Sequence, residues 1–305
     1  MAPSKEAQYL TSLFKTISAT PDNGNLFIER CLYDQVATAS SEPTDVSYED
    51  VDISGQQRGP AKLIHPSNAS KKHIILFMHG GGYSFGSLHS HRKMCAHFAK
   101  SCNTLALMVD YRLTPEHAYP AALDDCVAAY KWLLHQGFEG KNIITMGDSC
   151  GGGLTTTASL KVIRDGLPPP GAAVSLSPWY DVVCKDSPSL TKAKNDVLGT
   201  MEGMYKIRDR YCVGVDPAEP LISALYARDD ELSKLQPHWI SCAGDDMLLD
   251  DGIRMAERLQ KSGVETVLKV HDGMQHVFEF MAGRAPESDA SVREIGQWVR
   301  KTVGS

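Results

Sequence analysis

From about residue 46 onward, short runs of apolar and β-branched residues alternate with stretches whose apolar positions recur every three or four residues. That alternation puts helices on both faces of a mostly parallel sheet, so the expected fold class is α/β. Eight strands are predicted: Val46–Ile53, Ala61–Ile64, His73–Met78, Thr104–Asp110, Asn142–Met146, Ala172–Leu176, His238–Ala243 and Thr266–His271. The predicted helices cover roughly 90–101, 121–135, 150–165, 251–262 and 288–302. In the last of these, Val292, Ile295, Trp298 and Val299 form one apolar stripe against the sheet. Gly263 is expected to close the preceding helix, and Asp250 or Asp251 to cap its start by accepting hydrogen bonds from free backbone amides.

Two regions break the alternation. Residues 1–45 read as two short helices, with Leu10, Leu13, Phe14 and Ile17 on one face; residues near 184–225 read as helix and loop inserted between two strands. Both are expected to lie over the C-terminal ends of the strands, where open α/β sheets place their ligands. The expected organisation is therefore an N-terminal helical cap segment, 1–45, and one α/β domain, 46–305, carrying a second cap insertion. Phe27, Tyr33, Met201, Met204, Tyr205 and Tyr211 are candidates either for pocket lining or for the core of the cap itself.

Composition changes this picture little. At 305 residues, 42% hydrophobic and 22% charged, the chain can serve one continuous core. A net charge of −6 leaves no surplus of cations to displace counterions from a phosphate backbone, which argues against nucleic acid as a partner. Apolar runs such as Ile74–Met78 are only a strand long, far short of the ~20 residues of a membrane helix. Met1–Leu10 lacks the unbroken apolar stretch of a secretion signal. Eight cysteines are scattered without a Cys-x-x-Cys pair or a Cys/His cluster. They read as free thiols in a reducing, cytoplasmic setting and not as a zinc site.

The candidate chemistry starts at Gly147-Asp148-Ser149-Cys150-Gly151, between a buried strand and a helix. Glycines two before and two after the serine permit the sharp strand-to-helix turn that exposes a nucleophile, and the helix N-terminus favours nearby negative charge. The motif alone occurs often by chance; its strand and glycine-rich helix start give it meaning. Upstream, the strand ending at Met78 runs into His79-Gly80-Gly81-Gly82-Tyr83. Three adjacent glycines are costly in entropy unless the backbone has a task, and fixed N–H donors are the usual means of stabilising the oxyanion of acyl transfer. The amides of Gly81, Gly82 and Cys150 are assigned as those donors, whereas His79 is expected to brace the loop by bonding its backbone.

A serine nucleophile needs an imidazole and a carboxylate that orients it, arriving later in the chain in the order Ser, Asp, His. His276 lies in the loop after the last strand and is the better base; His271 belongs to the strand. For the acid, spacing leaves Asp245 and Asp246 both open.

Together these residues resemble the hormone-sensitive lipase family of α/β hydrolases, from about residue 73 to the C-terminus. The marks are the His79–Gly82 loop, Tyr111-Arg112-Leu113 with Pro115-Glu116-His117, Pro120 to Asp125, Gly147-Asp148-Ser149, Ser177-Pro178-Trp179, Asp246-x-Leu248-x-Asp250 and Gly273-Met274-x-His276-x-Phe278. The resemblance implies an α/β-hydrolase fold with an eight-stranded sheet and a helical cap. It further implies a carboxylesterase for short-acyl, small-molecule esters, with no metal and no organic cofactor. It places the acid at Asp246 and leaves Tyr83, Trp179, Tyr205 and Val277 as candidate substrate contacts. A homodimer is an assembly it admits.

Three positions depart from the family pattern: Cys150 stands for a usual alanine, Gly153 for asparagine and Met247 for a common proline. A thiol at a helix N-terminus is expected to be acidified, which would make Cys150 reactive. The same triad would also serve a lactonase, amidase or acyltransferase, since all share the acyl-enzyme intermediate. A receptor that has lost catalysis is disfavoured because Ser149, Asp246 and His276 are all retained.

Overall fold

Ile74, Ile75, Leu76 and Phe77 are consecutive, and all four are buried, which requires cover on both faces of their strand. The computed structural model, which describes residues 3–18, 25–53, 59–184, 196–197 and 199–305, shows what provides it. Eight strands form one sheet: β1 (Val46–Val51), β2 (Ala61–Pro66), β3 (Ser70–Met78), β4 (Thr104–Met108), β5 (Ile143–Asp148), β6 (Ala172–Leu176), β7 (His238–Ala243) and β8 (Thr266–His271). Their order is β1-β2-β4-β3-β5-β6-β7-β8. The pairs β1/β2 and β2/β4 are antiparallel; every other pair is parallel.

The helices that follow α1 (Lys5–Ser18) and α2 (Leu26–Tyr33) are α3 (Leu88–Cys102), α4 (Ala121–His135), α5 (Cys150–Arg164), α6 (Met201–Tyr211), α7 (Asp229–Leu232), α8 (Leu249–Lys261) and α9 (Pro286–Val303). One face of the sheet is covered by α4, α5 and α8, whose buried residues include Leu123, Leu154 and Met255. The other is covered by α3 and α9, together with Leu10 and Phe14 of α1. The α9 stripe lies where its periodicity places it, with Ile295 and Val299 fully buried.

One local expectation is overturned. Neither Asp250 nor Asp251 is the N-cap of α8, because the helix begins at Leu249 and the cap position is Leu248, with no side-chain cap bond. Asp251 instead turns into the core, where its carboxylate accepts the amides of Tyr180 at 2.8 Å and Asp181 at 2.7 Å. Burial pushes this carboxyl up to about 8, since the charged form has lost its water. Gly263, at φ +82°, does follow α8 in the left-handed conformation.

α1, α2 and α6 stand outside the strand–helix alternation; residues 185–195 and 198 of the expected insertion lie outside the described residues. α2 is capped by Asn25, whose side chain accepts the amides of Phe27 and Ile28. Arg30 fastens it to the sheet domain: Nε donates to the Ser84 carbonyl at 2.9 Å and Nη2 to that of Thr114 at 2.8 Å. Both Nη atoms donate to the Glu116 carboxylate at 2.7 Å, and that pairing holds Glu116 down to about 2. Among the described residues no helix is long and apolar enough to cross a membrane.

Candidate active site

The strand β5 ends at Asp148 and α5 begins at Cys150, so the reversal falls on a single residue, Ser149, held at φ 54° and ψ −123°. Only close approach of neighbouring backbone permits this. A Cβ on Gly147 or on Gly151 would collide with the carbonyl oxygen of Met78 in β3. The Ser149 amide donates to the Leu176 carbonyl at 2.8 Å, and the Ser149 carbonyl accepts from Trp179 at 2.9 Å. The hydroxyl-bearing side chain is left half-buried on the wall of a cavity.

The glycine loop after β3 passes beside this turn. Gly81, Gly82 and Tyr83 adopt φ values of 110°, 58° and 58° in succession, a run that costs energy and persists only where the surroundings fix it. Several bonds do so. The Gly80 amide donates to Asp148 Oδ1 at 3.0 Å, and the Tyr83 amide points at Cys150 Sγ at 3.3 Å. The Tyr83 carbonyl accepts the Thr114 amide at 2.8 Å. His79 is buried, stacks on Tyr111 with ring centroids 4.2 Å apart, and bonds the Gly80 carbonyl through Nδ1 at 2.8 Å. Asp148, which also faces His91 Nε2 at 3.3 Å, was not singled out by sequence reasoning. Its only signal was a carboxylate at the end of an otherwise apolar strand.

From the other side, the loops after β7 and β8 bring Asp246 and His276 together: Nδ1 of the imidazole lies 2.8 Å from Asp246 Oδ2. Asp246 Oδ1 accepts the Leu248 amide at 2.8 Å, so both carboxylate oxygens are used. Asp245 takes no part in this pair. Burial disfavours the imidazolium, but the charge and hydrogen bond of Asp246, with Asp196 and Asp148 behind it, outweigh burial and lift His276 to about 9. With Nδ1 committed to the carboxylate, Nε2 carries the lone pair that can take a proton.

Ser149, His276, Gly81, Gly82 and Trp179 share the wall of one cavity of about 270 Å³. Its remaining wall is mostly apolar, and Ile17, Leu32, Tyr33, Met204 and Ile207 of that wall come from the helices outside the alternation. Of the candidate substrate contacts, only Trp179 reaches it. Tyr83 turns away because its positive φ directs the ring into the core, where it stacks on Tyr211 at 3.7 Å. Tyr205 is 39% exposed on the outer face of α6 under Arg208. Val277 is buried beneath the histidine loop with its amide on Ser177 Oγ at 3.1 Å. Phe27 is 74% exposed and Tyr211 is core, so neither lines the cavity. Phe85 and Leu248 do line it, and alternation along a loop offers no periodicity from which to read them.

The expected reactivity of Cys150 is also overturned. Its thiol is fully buried, and loss of water pushes it up to about 12, more than the Tyr83 amide offsets. Among the described residues no group of three His, Cys, Asp or Glu side chains is placed to hold a metal ion.

A mostly parallel eight-stranded sheet with a serine on a strained strand-to-helix turn, beside an imidazole–carboxylate pair, defines an α/β-hydrolase-fold protein. The family model described as alpha/beta hydrolase fold matches residues 75–280. An esterase crystal structure from the bacterial hormone-sensitive lipase family is 35% identical, with TM-score 0.93 and full coverage of both chains. A hormone-sensitive lipase from a metagenome library is 33% identical, with TM-score 0.90 over 99% of this chain and 100% of the other. An acetyl-hydrolase of Streptomyces hygroscopicus is 31% identical over 80% of each chain. An ethyl acetate hydrolase of Pseudomonas putida is 29% identical over 83% of this chain and 82% of the relative. The chain belongs to the hormone-sensitive lipase family of α/β hydrolases.

Proposed function

We propose that this chain is a serine carboxylesterase acting on small, short-acyl esters through an acyl-enzyme. Hydrolysis of a carboxylic ester follows from family membership; the residue roles and substrate size rest on the site. The Ser149 Oγ attacks the ester carbonyl while His276 Nε2 takes its proton, and Asp246 holds the ring and the positive charge that forms on it. The amides of Gly81, Gly82 and Cys150 receive the developing oxyanion; that of Cys150 is the first of its helix and has no partner within it. The imidazolium then protonates the departing alcohol. Water, activated by the same imidazole, releases the acid and frees Ser149.

The observation that carries this is a single cavity wall that presents Ser149, the glycine loop and a histidine whose other nitrogen is 2.8 Å from a carboxylate. The described parts of 1–45 and of the insertion near 184–225 act as the cap, a reading supported by Ile17, Leu32 and Met204 on the cavity wall. A volume of about 270 Å³ falls at the small end of ligand pockets, consistent with short acyl chains. Eight free thiols suit a reducing cytoplasm.

Turnover of aryl esters of increasing acyl length tests the proposal. Rates should peak at short acyl chains and fall for long ones, and Ser149→Ala should abolish them all. Turnover persisting in that variant, or a preference for long chains, would overturn it.

A further inference from the structure

The segment just before α6 touches both loops that carry the acid–base pair. Asp196 Oδ2 accepts the amide of Met247, the residue after Asp246, at 3.0 Å, and Asp196 Oδ1 accepts the Gly199 amide at 3.2 Å. The neighbouring Val197 amide donates to the Gln275 side chain at 3.2 Å, immediately before His276. Asp196 also lines the cavity that holds Ser149 and His276.

One of these bonds depends on which residue stands at position 247. A proline at position 247 would have no N–H to offer; Met247 has one and gives it to Asp196. Resting on the esterase chemistry proposed above, we infer that Asp196 is a positioning residue that fastens the cap insertion to the acid–base pair and adds its charge to that of Asp246 in holding the imidazolium. Asp246 from the loop after β7, Asp196 from the insertion and Asp148 from the end of β5 all favour the charged form of His276, and Asp196 shares the cavity wall with it. Asp148 is committed to Gly80 and His91, and Asp246 bonds the ring itself. Asp196 alone of the three belongs to the cap, so seating of the cap and strength of the base are linked.

The test reads His276 directly. In ¹⁵N-histidine NMR titrations of the full chain, with the His276 signal identified by its loss in His276→Gln, Asp196→Asn should lower the titration midpoint by about one pH unit. The acid limb of kcat/KM for p-nitrophenyl butyrate should move down by the same amount. Met247→Pro, which keeps the carboxylate and removes its anchor, should lower the midpoint by a smaller step. An unchanged midpoint in Asp196→Asn overturns the electrostatic role, and one unchanged in Met247→Pro overturns the anchoring. Failure of the esterase chemistry would appear separately, as turnover that survives Ser149→Ala while the His276 midpoint still responds to Asp196.

Discussion

His276 and Asp246 meet at 2.8 Å, and the carboxylate oxygen not used by the ring is taken by the Leu248 amide. The carboxylate is thereby held from both sides, and its plane dictates which imidazole nitrogen carries the hydrogen. Asp246→Asn would present an amide N–H to Nδ1 and favour the wrong tautomer. The expected result is a fall in kcat of about 10³–10⁴-fold with a KM change within a few-fold. A loss of less than tenfold would mean that Asp246 does not orient the base.

The charge on His276 gives activity and stability opposite dependences on pH. Its folded value of about 9 exceeds the ordinary 6.5, so the stabilising charge pair is complete below about pH 6.5 and is lost as pH rises through about 9. Catalysis needs the neutral ring, so kcat/KM should climb across the same window. In denaturant titrations the stability advantage of wild type over His276→Gln should shrink from pH 6.5 to 9.5, by on the order of 3 kcal/mol at most. Parallel rise of both quantities would contradict this.

Iodoacetamide at pH 7.5 should leave esterase activity intact. Cys150 has no exposed surface, and burial keeps its thiol protonated, whereas Cys31 is exposed on α2. Peptide mapping by mass spectrometry should find the label first on Cys31. Rapid inactivation, with Cys150 modified and with Cys150→Ala protected, would show that the thiol is reached.

Arg30→Met should loosen α2 without disturbing the acid–base pair. The pair with Glu116 is partly solvent-exposed, 23% and 51% for the two side chains, which limits its worth to about 1 kcal/mol. KM should rise several-fold, because Leu32 and Tyr33 of the same helix line the cavity. An unchanged KM would detach α2 from substrate binding.

The sheet and the loops that bring His276 to Asp246 were legible because both follow local rules. Strand ends differ from expectation by a few residues, as at β5, which runs on to Asp148 and so begins the turn directly at Ser149. His276 and Asp246 could be found because each sits in a short loop after a strand. Spacing could not separate Asp246 from Asp245; the resemblance chose Asp246, and it is Asp246 that lies 2.8 Å from His276 Nδ1. Side chains such as Tyr83, Tyr205 and Val277 were misread for a related reason: an aromatic or apolar residue beside a motif does not reveal which way the backbone turns it. The Cys150 thiol was misread because a helix dipole is visible in sequence and desolvation is not. Asp196 was passed over since its partners, Met247 and Gly199, are backbone groups.

The helices α2 and α6 both hold one short stretch of chain. Tyr211 at the end of α6 lies flat on Tyr83, and Arg30 of α2 grips the carbonyl of the next residue, Ser84. Any shift of α2 or of the end of α6 is therefore passed to the loop that carries the proposed oxyanion donors. Trimming Ile17, Met204 or Ile207 on the cavity wall, with both contacts left in place, is the expected route to admitting bulkier esters.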